Sequence, residues 1–223
     1  MPVKFVVSRS DVTVEAGYQQ PQVGIFQSQA GILPQLVTRL TPHGLRLSDV
    51  KLERGNGSLG DLHLFCYLLD YVLTVRIRVD RTEIYCPHLT EENKKRVSAA
   101  AVATLACVRD HIGSEYRAYG FSMNIHGLME NQSTKAFLGR LVTPVPAGVG
   151  AVAGNGVAYY FAPLSDRIAS SLTFDVSAVT ADGLFVRTLA TWDASFVRLD
   201  SLAERAEEFV RQMFGSFDIE IPQ

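Results

Sequence analysis

The side chains best suited to hold a metal or move a proton are His43, His63, His88, His111 and His126, with Cys66, Cys86 and Cys107. Their spacing does not converge. No two histidines stand four apart to share one helix face, and there is no CxxC pair. Cys86 and His88 flank Pro87 and would supply two ligands, but the chain offers no second pair, so a turn held by Pro87 is the simpler account. No GxSxG marks a nucleophile elbow, although a fold can still assemble a serine, a histidine and an aspartate from distant positions. Asp70, Asp80 and Glu83 would meet at adjacent strand ends in the manner of paired acid–base carboxylates, where solvated strand ends explain them equally well. VGAVAGNG (149–156) has the glycines of a phosphate cradle, but a strand-like segment follows it and it contains no lysine. No cofactor and no metal are implied.

Two surface features remain. Arg76 and Arg78 share the polar face of one strand, and Lys94, Lys95 and Arg96 open a helix further on. Together they would form a basic surface for an acidic partner or a phosphate backbone, or would pair with Asp80, Glu83, Glu91 and Glu92. Tyr159, Tyr160 and Phe161 are consecutive, so in a strand at least one ring points away from the core. They are the candidate interface aromatics.

The elements that would position these residues are legible from periodicity. Thr90–Gly113 is the best-punctuated helix: Thr90 caps it, Glu91 and Glu92 face the positive end of its dipole, and Gly113 ends it. Its apolar stripe runs Val97, Ala101, Leu105, Val108 and Ile112. Shorter helices are expected over 32–40, with Pro34 in the first turn, and over 133–141. Another is expected over 200–215, capped by Asp200. Strands are expected at 4–8 and 12–16 with a turn at Arg9-Ser10-Asp11, then at 45–53, 61–69, 70–80 and 82–86. Further strands are expected at 115–127, 157–163, 170–179, 183–192 and 217–221. Residues 70–80 alternate, with Leu73, Val75, Ile77 and Val79 against Thr74, Arg76, Arg78 and Asp80.

This pattern predicts an α+β fold of mainly antiparallel, curved sheet with packed helices. The strand–strand–strand–helix–strand order of 45–126 recurs over 157–221. RDHIGSEY (109–116) also matches RQMFGSFD (211–218) at four offsets, suggesting an internal duplication of a β-β-β-α-β unit. Residues 143–156, TPVPAGVGAVAGNG, are uncharged and rich in Gly and Pro, so they read as a linker between an N-terminal lobe (1–142) and a C-terminal lobe (157–223).

The chain has 223 residues, 47% hydrophobic and 20% charged, a globular composition with a formal net charge of −2. That charge argues against a general nucleic-acid footprint. No apolar run is long enough to span a bilayer, no signal-peptide pattern opens the chain, and three cysteines without metal spacing read as free thiols in a reducing cytoplasm. The expected function is a non-catalytic binding or assembly protein, working through a protein partner or self-association. The alternatives are a small-molecule-binding protein or enzyme with a pocket between sheet and helix, and a nucleic-acid-binding accessory protein.

Overall fold

The computed structural model describes residues 3–26, 31–54, 62–142 and 156–221. Among the described residues, four α-helices and one ten-stranded, mainly antiparallel sheet make an α+β fold, as the alternation predicts. The 143–156 linker lies, but for Gly156, outside the described residues.

The first strand, β1 (Val3–Tyr18), is one continuous strand of 16 residues where the sequence predicts two. Arg9-Ser10-Asp11 does not turn, because these residues find partners across the sheet. The Ser10 hydroxyl donates to the Leu89 carbonyl at 2.8 Å, Asp11 Oδ1 accepts from Asn124 Nδ2 at 2.8 Å, and Arg9 sits opposite His126. A register shift between Val7 and Arg9 absorbs the surplus residue as a bulge.

The remaining strands are β2 (Val50–Arg54), β3 (Leu62–Leu68), β4 (Leu73–Ile77), β5 (Arg81–Cys86), β6 (Tyr116–Met129), β7 (Val157–Phe161), β8 (Arg167–Val176), β9 (Leu184–Asp193) and β10 (Ile219–Glu220). Spatially they run β2-β3-β4-β5-β1-β6-β9-β8-β7, and β10 pairs with β1 in parallel. The expected strand over 45–53 begins only at Val50, because Leu47–Asp49 winds into a 3-10 turn behind Gly44, whose φ is 80°. In β4 the predicted alternation holds: Leu73, Val75 and Ile77 are buried while Thr74 and Arg76 face outward.

The helices are α1 (Leu33–Leu40), α2 (Glu91–Ile112), α3 (Thr134–Leu141) and α4 (Leu202–Gly215). Thr90 caps α2 as expected, and Asn93 completes a reciprocal capping box by returning its side-chain oxygen to the Thr90 N–H. Gly113 closes the helix at φ 65°. The buried set of α2 is Val97, Ala100, Thr104, Leu105, Cys107 and Val108, wider than one stripe. The cause is that α2 packs on the sheet and is also flanked by α1, which the Arg39–Asp110 ion pair at 2.5 Å ties to it. Asp200 does not cap α4. Its carboxylate is held by the Arg198 guanidinium at 2.8 Å, and a 3-10 turn over Leu199–Ser201 starts the helix without a side-chain cap.

All four helices gather on one side of the sheet. The Tyr116 hydroxyl donates to the Leu105 carbonyl of α2 at 2.7 Å. Phe137 of α3 meets Phe174 edge-on at 5.4 Å, Phe209 of α4 meets Trp192 at 5.9 Å, and Phe214 meets Phe5 at 6.0 Å. Burial drives the phenols of Tyr18 and Tyr116 far above the usual tyrosine range, so both stay neutral. Cys66, Cys86 and Cys107 are free and buried, and burial pushes the Cys66 thiol up to about 12.

The β3–β4 connection holds three consecutive non-glycine residues at positive φ: Leu69 (53°), Asp70 (54°) and Tyr71 (70°). Leu69 is anchored by burial and by its N–H to the His43 carbonyl, and Tyr71 by its hydroxyl to Asp49. Asp70 has only an exposed 3.4 Å contact with Arg46. Asp70→Gly is therefore expected to stabilise the protein by about 0.5–1 kcal/mol, by removing left-handed strain that a side chain creates. Denaturant midpoints of the two proteins check this.

Candidate functional site

A strand packed on one face leaves its alternate residues on the other, so the helix-bearing side implies an opposite face built from the polar half of each strand. Register aligns these residues into rows. One row runs Tyr67, Thr74, Tyr85, Thr13, Ser122, Leu189, Ser171 and Tyr160 across β3, β4, β5, β1, β6, β9, β8 and β7. All are half-buried or exposed, and the most open ring is Tyr160 at one rim, at 84% exposure. The pattern is tyrosine with threonine and serine, a composition enriched where proteins meet other proteins.

The next row contains the charges. Glu83 on β5 lies opposite Arg76 on β4, and three guanidiniums converge on it: Arg81 at 2.6 Å, Arg76 at 3.3 Å and Arg78 at 3.5 Å. Burial raises the Glu83 carboxyl, but the hydrogen bond and charge of Arg81, with Arg76 and Arg78, outweigh it and hold Glu83 below the usual carboxylate range. Arg76 also donates to His63 Nδ1 at 2.9 Å, which makes that nitrogen an acceptor, and lies over the Phe65 ring at 5.6 Å. Asp80 pairs with both Arg78 and Arg81. Arg76 and Arg78 are thus neutralised in place.

The structure does not join the five basic residues. Lys94 of α2 bridges Glu91 and Glu207 of α4, on the helix side of the sheet. Lys95 and Arg96 line an open groove of about 520 Å³ with Thr41, Pro42, His43, Gly44, Leu69 and Ala99. Arg76 and Arg78 lie apart from them, Arg76 on the opposite face. Of the three aromatics, Tyr160 projects outward, while Tyr159 turns back and packs on Phe217 with ring centres 5.0 Å apart. Phe161, half-buried, packs at the margin of the core. Among the described residues no group of three or more His, Cys, Asp or Glu could hold a metal ion.

One polar cluster had no sequence signal, because its histidine lies 51 residues from its serine. His126 Nδ1 lies 2.9 Å from the Ser177 hydroxyl, and the imidazole packs against the Phe185 ring, tilted, at 4.9 Å. Ser177 Oγ already accepts the N–H groups of Val179 and Thr180, so its lone pairs are occupied and its proton is donated to the imidazole. The arrangement locks the 177–183 turn and leaves the serine a poor nucleophile. Desolvation lowers the His126 pKa, opposed by Asp11 and aided by Arg9, and desolvation lowers that of His111 as well. A depressed histidine stabilises the fold above the unfolded value of about 6.5 and withdraws that support as pH falls toward the folded value. Thermal stability is therefore expected to decline below about pH 6.5, and His126→Gln to flatten the slope in part, with His111 supplying the remainder. A series of melting curves from pH 7.5 to 5 tests both statements.

Among the described residues no helix is long and apolar enough to cross a membrane. Compared with protein-family models the sequence matches none, and comparison with curated proteins likewise finds no match.

Proposed function

We propose that this protein is a non-catalytic binding or assembly protein that engages another polypeptide through the helix-free face of its sheet. The observation that supports this is the Tyr67–Tyr160 row, which crosses eight strands with none of the described helices over it, beside arginines already paired with Glu83 and Asp80. The tyrosines, threonines and serines of this row offer aromatic and hydroxyl contact area, which suits a protein partner. A phosphate backbone needs unpaired cations on one surface, and here the arginines and the α2 lysines are divided between sheet face and helix side. A ligand pocket between sheet and helix draws less support: the groove at Lys95 and Arg96, and a second of about 260 Å³ at Pro34, Gln35, Thr38 and Arg39, are lined mainly by helix and loop residues.

The test compares immobilised wild-type protein with a Tyr85→Arg, Tyr160→Arg variant, both positions being exposed. A polypeptide retained by the first and lost by the second supports the proposal. Identical recovery by both, or recovery of nucleic acid in a salt-sensitive manner, overturns it.

The order of elements also supports an internal duplication. Each half runs strand, helix, a set of strands, helix: β1, α1, β2–β5, α2 and then β6, α3, β7–β9, α4. The sheet order is mirrored outward from the β1–β6 pair, β5, β4 and β3 on one side answering β9, β8 and β7 on the other. On this proposal the second unit begins at β6, so the division falls after α2.

A further inference from the structure

The sheet ends at β2, whose five residues Val50-Lys51-Leu52-Glu53-Arg54 pair with β3 alone among the described residues. Alternate N–H and C=O groups along its outer side are therefore available to another strand. The strand is open: Lys51, Leu52, Glu53 and Arg54 are all exposed, Leu52 by 51%. Among the described residues, Lys51, Glu53 and Arg54 make no ion pair, and Lys51 only overhangs the Tyr67 ring at 5.5 Å. By register Lys51 and Glu53 stand opposite Phe65 and His63, on the helix-free face, and Leu52 stands opposite the buried Leu64 on the other.

From this edge we infer that the chain forms a two-fold homodimer by antiparallel pairing of β2 with β2 of a second copy, centred on Leu52. A two-fold axis perpendicular to the sheet keeps corresponding faces together, so a residue can only stand opposite one of the same face. Three registers then bring the centre of the strand into contact. Centring on Lys51 sets lysine against lysine, and centring on Glu53 sets glutamate against glutamate. Centring on Leu52 sets Lys51 against Glu53 twice, places the two Leu52 side chains together, and lays the Arg54 stem against Val50. Directly opposed opposite charges stabilise an antiparallel pair and like charges weaken it, so the sequence of β2 selects the third register. The result is one sheet continued through both copies, its uncovered faces on the same side. This inference stands independently of what binds the helix-free face.

Sedimentation of the full chain over a concentration series tests it. The wild type is expected to be in monomer–dimer equilibrium, favouring dimer at low salt. Lys51→Glu and Glu53→Lys each replace two attractive pairs with two repulsive ones, and each is expected to weaken dimerisation by about tenfold or more. The double variant K51E/E53K restores both pairs with polarity reversed and should recover affinity to within about threefold of wild type. Circular dichroism should be unchanged in all three, because the substituted side chains are exposed. A chain that stays monomeric at every concentration overturns the inference. So does a dimer indifferent to the single reversals, a double variant no tighter than the singles, or capture of a foreign strand on β2 by a monomeric chain.

Discussion

Adding one methyl group at Gly127 is expected to destabilise this protein by about 3 kcal/mol, the upper range for overpacking, because the atoms in its way cannot move cheaply. A Cβ there would lie 2.3 Å from the Val6 carbonyl oxygen and 2.9 Å from the Phe5 ring. The oxygen belongs to β1, paired with β6 in register Val6↔Leu128 and Val7↔Gly127, and Phe5 is fully buried against Phe214 of α4. Relief would require β1 to withdraw from β6, the pair on which both halves of the sheet are hung. Gly139→Ala is the matched control. Nothing lies within 4 Å of a Cβ there, and inside α3 the change should stabilise by up to about 1 kcal/mol. Urea denaturation of the two variants separates them. A Gly127→Ala protein as stable as wild type would mean that the β1–β6 seam is not packed as described.

Trp192→Ala is expected to cost still more, about 3–5 kcal/mol, the loss of a large buried ring plus the cavity it leaves. Trp192 is 2% exposed on β9 and sits between Phe121 of β6 at 6.2 Å and Phe209 of α4 at 5.9 Å, the latter edge-on. It therefore couples the sheet centre to the last helix. Arg167, paired with Trp192 across the sheet, also lies over the Phe209 ring at 5.2 Å, so loss of the indole loosens that cation–ring contact as well. Trp192→Phe keeps much of the apolar volume and should cost roughly half as much. Because Trp192 is the only tryptophan in the chain, its fluorescence in the wild type reports unfolding of this junction directly. Agreement between that signal and circular dichroism would show that α4 and the sheet unfold together.

Much of the architecture is legible in the sequence. Thr90 and Gly113 bound α2 as their capping chemistry requires, Pro34 falls in the first turn of α1, and the alternation of Leu73, Val75 and Ile77 identified the buried face of β4. These are local signals: a cap, a ring-locked φ and a two-residue period each act within a few positions. The failures were equally local in origin. Arg9-Ser10-Asp11 looks like a turn only until Leu89, Asn124 and His126 are brought beside it, and Asp200 looks like a cap only until Arg198 claims its carboxylate.

By itself the sequence determined the fold class, most of the elements and the apolar face of β4, because these follow from periodicity and backbone chemistry within a segment. Tertiary structure alone decided what the polar faces do. The alternation of residues 70–80 put Thr74 and Arg76 on a polar face but did not say which residues of other strands lie beside them. Only strand order sets Thr74, Tyr85, Thr13, Ser122 and Ser171 in one row, because pairing joins residues more than a hundred positions apart, such as Thr13 and Ser122. The basic residues that looked like one surface were divided by the same topology, Arg76 remaining on the sheet face while α2 carried its lysines to the helix side. Arg76 and Arg78 take the nearby partners Glu83 and Asp80 that the sequence offers, whereas His126 meets Ser177, a partner 51 positions away that spacing in the chain does not name.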